Sequence, residues 1–215
     1  MYGYYGYYDD YNIQQTKSYA RILHASPNAP GVDVYVNDKI LATNLTYKNF
    51  TEYYPLDPGL YNIKVYPTGQ RENPVINSDI RVPPRGIYTI AAINKLENIA
   101  LYPILDTPQQ IPSGRVYARF VHLSPGAPNV DVKTGDDNML FSNVAYKGVT
   151  EYKLINPGTY TFNVFAAGTD DRVLYVPNIT LKPNRFYTIY AVGLVEGNPP
   201  LQVLIPLDGN SYLNV

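Results

Sequence analysis

Apolar and polar positions alternate with a period of two along most of this 215-residue chain. Ala20, Ile22 and His24, then Val32, Val34 and Val36, then Tyr61, Ile63 and Val65, then Ile87, Thr89 and Ala91 show the alternation or the β-branched and aromatic enrichment of half-buried strands. Turn residues recur at strand-length intervals, at Ser26-Pro27, Ala29-Pro30-Gly31, Asp57-Pro58-Gly59, Pro67-Thr68-Gly69 and Pro83-Pro84-Arg85-Gly86. Each proline fixes φ and withholds an N–H from a ladder, while glycine supplies positive φ. No window is long enough for a substantial helix. The pattern predicts strands over 19–24, 32–36, 39–45, 50–55, 60–66, 75–82, 87–94 and 99–105.

The pattern then repeats about a hundred residues later. Residues 19–34 (YARILHASPNAPGVDV) laid over 117–132 (YARFVHLSPGAPNVDV) give eleven identities in sixteen positions, so the chain is a tandem duplication. The match continues through Thr51, Glu52 and Tyr53 with Thr150, Glu151 and Tyr152, through Pro58-Gly59 with Pro157-Gly158, and ends with Leu105-Asp106 matching Leu207-Asp208. Four segments follow: an N-terminal Tyr/Gly-rich segment (1–17), a first unit (18–106), a short Pro/Gln/Ser/Gly linker (107–114) and a second unit (115–215). A semi-extended linker of this kind sets the units in series with limited freedom. Short strands at this density predict an all-β protein of two tandem antiparallel β-sandwiches, of immunoglobulin or fibronectin type III character, behind an extended N-terminal segment.

Composition narrows the chemistry. Net charge is −1, without the clustered Lys and Arg that nucleic acid or anionic membranes demand, and zero cysteines exclude disulfides and thiolate chemistry. No stretch approaches a membrane span, and the start lacks the basic and apolar parts of a secretory signal. The expected route is synthesis in the cytoplasm followed by placement on a surface, such as one freed by lysis of the producing cell. Tyrosine is the dominant aromatic, 23 against 6 Phe and no Trp, and six of them fall within the first eleven residues.

That leader carries the most distinctive chemistry. Extended, it places Tyr2, Tyr4 and Tyr8 on one face and Tyr5, Tyr7 and Tyr11 on the other, with Gly3 and Gly6 keeping it slim. Such a segment can add as a strand to an open sandwich edge of a neighbour, and a head-to-tail contact of that sort builds open filaments. A flexible or tyrosine-cross-linked tail is the bland alternative. Elsewhere, the repeated His24, Ser26 and Asp33, and His122, Ser124 and Asp131, raise a Ser-His-Asp hydrolase. Each Ser precedes a proline, no glycine-rich oxyanion loop accompanies it, and a structural turn in which Asp or His bonds backbone explains the motif better. One His per unit with scattered carboxylates is too few for zinc, and the acidic turn at Asp136 and Asp137 lacks calcium spacing. We therefore expect no catalytic residues, no metal and no cofactor. Tyrosine surfaces also suit carbohydrate, so a monomeric surface binding module for carbohydrate or another cell-surface ligand is the rival reading.

The phrase R-x-x-H-x-S-P-x-A-P-x-V-D-V, anchored by Arg21, His24, Ser26 and Asp33 and again by Arg119, His122, Ser124 and Asp131, resembles the domain of unknown function 4397 family, as do the later Pro-Gly-x-Tyr elements. The resemblance covers residues 18–209 and implies tandem immunoglobulin-like sandwiches on bacterial surface or secreted proteins, with no reaction to carry over. The Tyr/Gly leader is similar in composition to the ends of spore coat and exosporium proteins. Together these imply a non-enzymatic structural protein whose partner is itself, a head-to-tail homopolymer in a spore-associated surface layer or fibre.

Overall fold

The computed structural model describes residues 17–215, so the leader tyrosines Tyr2, Tyr4, Tyr5, Tyr7, Tyr8 and Tyr11 lie outside the described residues. The first unit contains β1 (Ser18–His24), β2 (Val32–Val36), β3 (Lys39–Leu45), β4 (Tyr54–Leu56), β5 (Gly59–Pro67), β6 (Ile76–Val82), β7 (Ile87–Ile93) and β8 (Ala100–Leu105). The second contains β9 (Val116–His122), β10 (Val130–Thr134), β11 (Met139–Val144), β12 (Lys153–Ile155), β13 (Gly158–Ala166), β14 (Arg172–Leu181), β15 (Arg185–Val192) and β16 (Gln202–Leu204). Sheets of order β4-β1-β7-β8 and β3-β2-β5-β6 face each other in the first unit, and β12-β9-β15-β16 and β11-β10-β13-β14 do so in the second. Pairing is antiparallel except between β1 and β7 and between β9 and β15, which run parallel.

Two all-β sandwiches are thus present, with one parallel contact in each. Residues 50–55 form less strand than the pattern predicts. Only Tyr54–Leu56 pairs as β4, because Phe50 makes a single bridge to Leu23 and Thr51 Oγ1 accepts the Ile22 N–H at 2.9 Å. That side-chain acceptor replaces a ladder carbonyl.

Each sandwich has its own core, around Ile22, Val34, Ile63 and Ile90 in the first and around Phe120, Phe141, Phe162 and Ile189 in the second. The smaller side chains of the first leave a narrow apolar slot of about 20 Å³ beside Ile22, Leu41, Ile63 and Ile80.

A third apolar cluster lies between the units: Leu23, Ala25, Ala91, Ile93 and Ile104 of the first meet Val121, Leu123, Tyr190 and Val192 of the second. The sequence expectation of units strung in series is therefore corrected. The β4-β1-β7-β8 and β12-β9-β15-β16 sheets pack face to face, because β1, β7, β9 and β15 carry apolar side chains on both faces, and the second face needs cover.

Candidate functional site

The repeated His-Ser-Asp motif closes on backbone. His24 and His122 are fully buried, and each directs Nε2–H at a proline carbonyl six residues on, Pro30 at 2.9 Å and Pro128 at 3.1 Å. Desolvation holds both imidazoles below the ordinary histidine range and keeps them neutral. The Asp33 carboxylate accepts the Asn44 and Gly69 N–H groups at 2.8 and 2.9 Å, and Asp131 accepts those of Asn143 and Gly168 at 2.6 and 2.9 Å. Gly69 and Gly168 present those amides from φ of 78° and 72°, conformations that L side chains resist. Ser124 Oγ donates to the Gly193 carbonyl at 2.6 Å, and Ser26 is equally buried. Among the described residues no histidine faces an aspartate, so the repeated His, Ser and Asp do not assemble a nucleophilic relay. All but Ser26, whose buried hydroxyl has no partner among the described residues, pin loop ends to the sandwich.

The acidic turn of the second unit is likewise closed on itself. Asp136 accepts hydrogen bonds from Thr134 and Asn138. Among the described residues no three His, Cys, Asp or Glu side chains converge as a metal site. On the outer face of the first sandwich Tyr35 packs edge-on to Tyr66 and lies beneath Arg71, only 6% exposed, which removes it as a flat platform for a sugar ring.

Arg21 and Arg119, the first residues of the motif, lie in the seam between the units. Arg119 Nε donates to Thr188 at 2.8 Å within its own unit, then crosses the seam to donate Nη1 to the Leu105 carbonyl at 2.6 Å and Nη2 to the Asp106 carboxylate. Arg21 mirrors it: Nε donates to Thr89 at 3.0 Å, Nη1 crosses to the Leu207 carbonyl at 3.0 Å, and Nη2 lies 3.6 Å from Asp208. Tyr53 donates to Asp106 at 3.0 Å and Tyr152 to Asp208 at 2.5 Å. Arg21 stacks over Phe50 and Tyr53, and Arg119 over Tyr152. Both aspartates are fully buried and the two arginines are 5% and 2% exposed.

The exchange of partners makes the seam a pseudo-twofold: each unit supplies the guanidinium that the other unit's C-terminal Leu-Asp pair receives. Two cations and two anions balance, so the cluster carries no net charge into the interior. Desolvation first, and then Asp208 nearby, push the Asp106 carboxyl up to about 7 against the pull of Arg119 and Arg21. The same burial raises the Tyr53 and Tyr152 phenols, which remain donors. At the rim, Tyr102 donates to the Lys147 carbonyl and Tyr146 to Asn94, both at 2.6 Å, and Lys48 donates to Gln202 at 3.1 Å.

The twofold is broken where Tyr190 stands at the position of Ala91. Its ring packs 5.9 Å from Phe50. Sequence reasoning placed Arg21 and Arg119 in the motif but not their seam partners Asp106, Asp208, Tyr53 and Tyr152. The available signal was their recurrence at matched places in both units.

A comparison with curated protein sequences returned no match. Solved structures with detectable likeness include the C-terminal domain of AlgF from P. aeruginosa, at 16% identity and a TM-score of 0.31, covering 44% of this chain and 97% of that domain. The Bacillus anthracis TIE protein matches at 14% identity and a TM-score of 0.27 over 83% of this chain, which spans about a third (34%) of that protein's length. A putative cell adhesion protein from Bacteroides ovatus matches at 12% identity and a TM-score of 0.26, covering 89% of this chain and 96% of that one. The family comparison is more specific, and its boundary at residue 133 cuts through β10, whereas the hydrogen-bonded sheets divide between β8 and β9. With its model matching residues 18–133 and 134–211 in tandem, the chain belongs to the family called domain of unknown function (DUF4397).

Proposed function

We propose that this protein is a non-enzymatic structural subunit that self-assembles head to tail into a spore-associated surface layer or fibre. Its N-terminal segment adds as a strand between subunits. The observation that supports this reading is the use made of the most motif-like residues. His24, Asp33, His122, Ser124 and Asp131 hold loops, and Arg21 and Arg119 hold the two sandwiches together, so most of the polar groups with the look of chemistry serve mechanical ends. A docked pair of sandwiches makes a stiff building block, and the tyrosine-rich leader is then the part left to join one block to the next. The partner is a second copy of the chain.

Electron microscopy and size-exclusion chromatography of the full chain, beside a chain lacking residues 1–16, test this directly. Filaments or large species from the full chain and monomers from the truncated one are expected. If both stay monomeric at high concentration, self-assembly is excluded.

A further inference from the structure

A strand can add only where a sheet edge is open, regular and able to donate and accept along its length. We infer that β6 is the edge that receives residues 2–8 of a second copy of this chain. This rests on the strand-addition reading above and specifies its acceptor.

The eight edge strands of the four sheets are β3, β4, β6, β8, β11, β12, β14 and β16. Three of them, β4, β12 and β16, are three residues long, too short to hold a partner by themselves. The pairings of β3 with β2 and of β11 with β10 each slip register twice, so both edges are kinked. Along β14 the register slips twice against β13, and Pro177 offers no N–H. Pro103 interrupts β8 in the same way. Bulges, prolines and shortness are the ordinary means by which sheets discourage edge pairing.

β6 has none of these guards. Its seven residues pair with β5 in unbroken register from Val82↔Gly59 to Ile76↔Val65. Its side chains alternate, Ile76, Ile80 and Val82 toward the core and Asn77, Asp79 and Arg81 outward and exposed, so it is flat and fully formed. The charges of Asp79 and Arg81 stand off the sheet face and leave the backbone of the edge accessible. The duplicated counterpart of β6 is β14, so among the described residues the same position is open in the first unit and blocked in the second. One acceptor per chain is what a linear head-to-tail assembly needs.

The donor fits in length and position. Residues 2–8 are seven, equal to β6, with tyrosines on both faces. The described chain starts beside the acceptor, since the Ser18 hydroxyl donates to the Pro83 carbonyl at 2.5 Å, just past the end of β6. The nine residues 9–17 then form a tether that reaches roughly 30 Å when extended, enough to cross to an adjacent molecule.

The chain has no cysteine, so introduced pairs report the contact without background. Full-length protein carrying Asp79→Cys with either Tyr4→Cys or Tyr5→Cys, two adjacent positions that cover both faces of the leader, is oxidised under assembly conditions and run without reductant. A ladder of dimers, trimers and longer species from one of the two, collapsing to monomer on reduction, is expected, and a matched Tyr175→Cys on β14 should give none. A fast-migrating intrachain product would make the occupant the chain's own leader and overturn the proposal. Filaments that cross-link through Tyr175→Cys, or through neither site, would overturn β6 while leaving strand addition standing. Unmodified protein that does not assemble at all would remove both.

Discussion

Arg119→Met tests the seam most sharply, because it keeps an unbranched apolar stem in place of one of the largest buried side chains in the molecule while deleting its charge. The substitution leaves the Asp106 carboxylate without its guanidinium and the Leu105 carbonyl without its donor. A lost hydrogen bond to a charged group is worth about 1.5–3 kcal/mol and an orphaned carbonyl about 1 kcal/mol. The sum agrees with the roughly 3–5 kcal/mol expected for breaking one side of a buried ion pair. Urea unfolding at pH 8, followed by tyrosine emission in a chain of 23 Tyr without Trp and by circular dichroism, should show that loss. The two sandwich cores are separate clusters from the seam, so the variant should also split a single transition into two as docking fails before either sandwich melts. Combining Arg119→Met with Asp106→Leu replaces both charges by apolar groups and should recover most of the loss. A single variant within about 1 kcal/mol of the parent, or a double variant at least as unstable as the single, would refute the assignment of docking energy to this cluster.

Three further outcomes follow from the same geometry. Burial holds His24 and His122 below the ordinary histidine range in the native state, so the stability carried by their neutral burial is full above that range and falls as the pH drops through it, whereas the raised Asp106 carboxyl acts in the opposite sense. Two histidines outnumber the one carboxyl, so the net expectation is a fall in stability as the pH drops from roughly 6 to 4. Urea midpoints that stay flat or rise over that interval would refute the neutral-histidine assignment, and Asp106→Asn should steepen the slope. Asp131→Ala strands the Asn143 and Gly168 amides and should cost about 2–3 kcal/mol, read by thermal melting; an unchanged melt would show that the loops hold without it. Tyr190→Phe removes a buried hydroxyl with no hydrogen-bond partner among the described residues, so it should leave stability unchanged or raise it by up to about 1 kcal/mol; a clear loss would mean the hydroxyl is satisfied.

Strands and duplication were legible because each leaves a local trace. A period of two needs only one buried face, and the turn prolines and glycines mark the ends. The seam was illegible for the converse reason. In β1, Ile22 points to the sandwich core and Leu23 to the other unit, so the segment reads as an apolar run without orientation. Arg21 within that run looks like an outward polar residue, and nothing local discloses that its partner is the backbone of Leu207. Phe50 misled in a related way, as its apolar side chain belongs to the seam and not to a ladder. The motif histidines and aspartates bond backbone groups, and a serine before proline and an aspartate before a turn are the local signals of such a structural turn. The order of Asp106 and Asp208 in the two units was visible, but its meaning required knowing which sheets face each other.

The crossing of the arginines also sets an order of events during synthesis. Arg119 finds the Leu105 carbonyl only 14 residues upstream, whereas Arg21 must wait for Leu207, 186 residues downstream. A nascent chain with its first sandwich complete therefore exposes an apolar sheet face until β9 and β15 fold onto it, and the Arg21 guanidinium until Leu207 has emerged. Premature termination between the linker and β15 would release a molecule whose docking face is uncovered. The segment from Val121 to Asp208 thus decides whether that face meets its own partner or a stranger's.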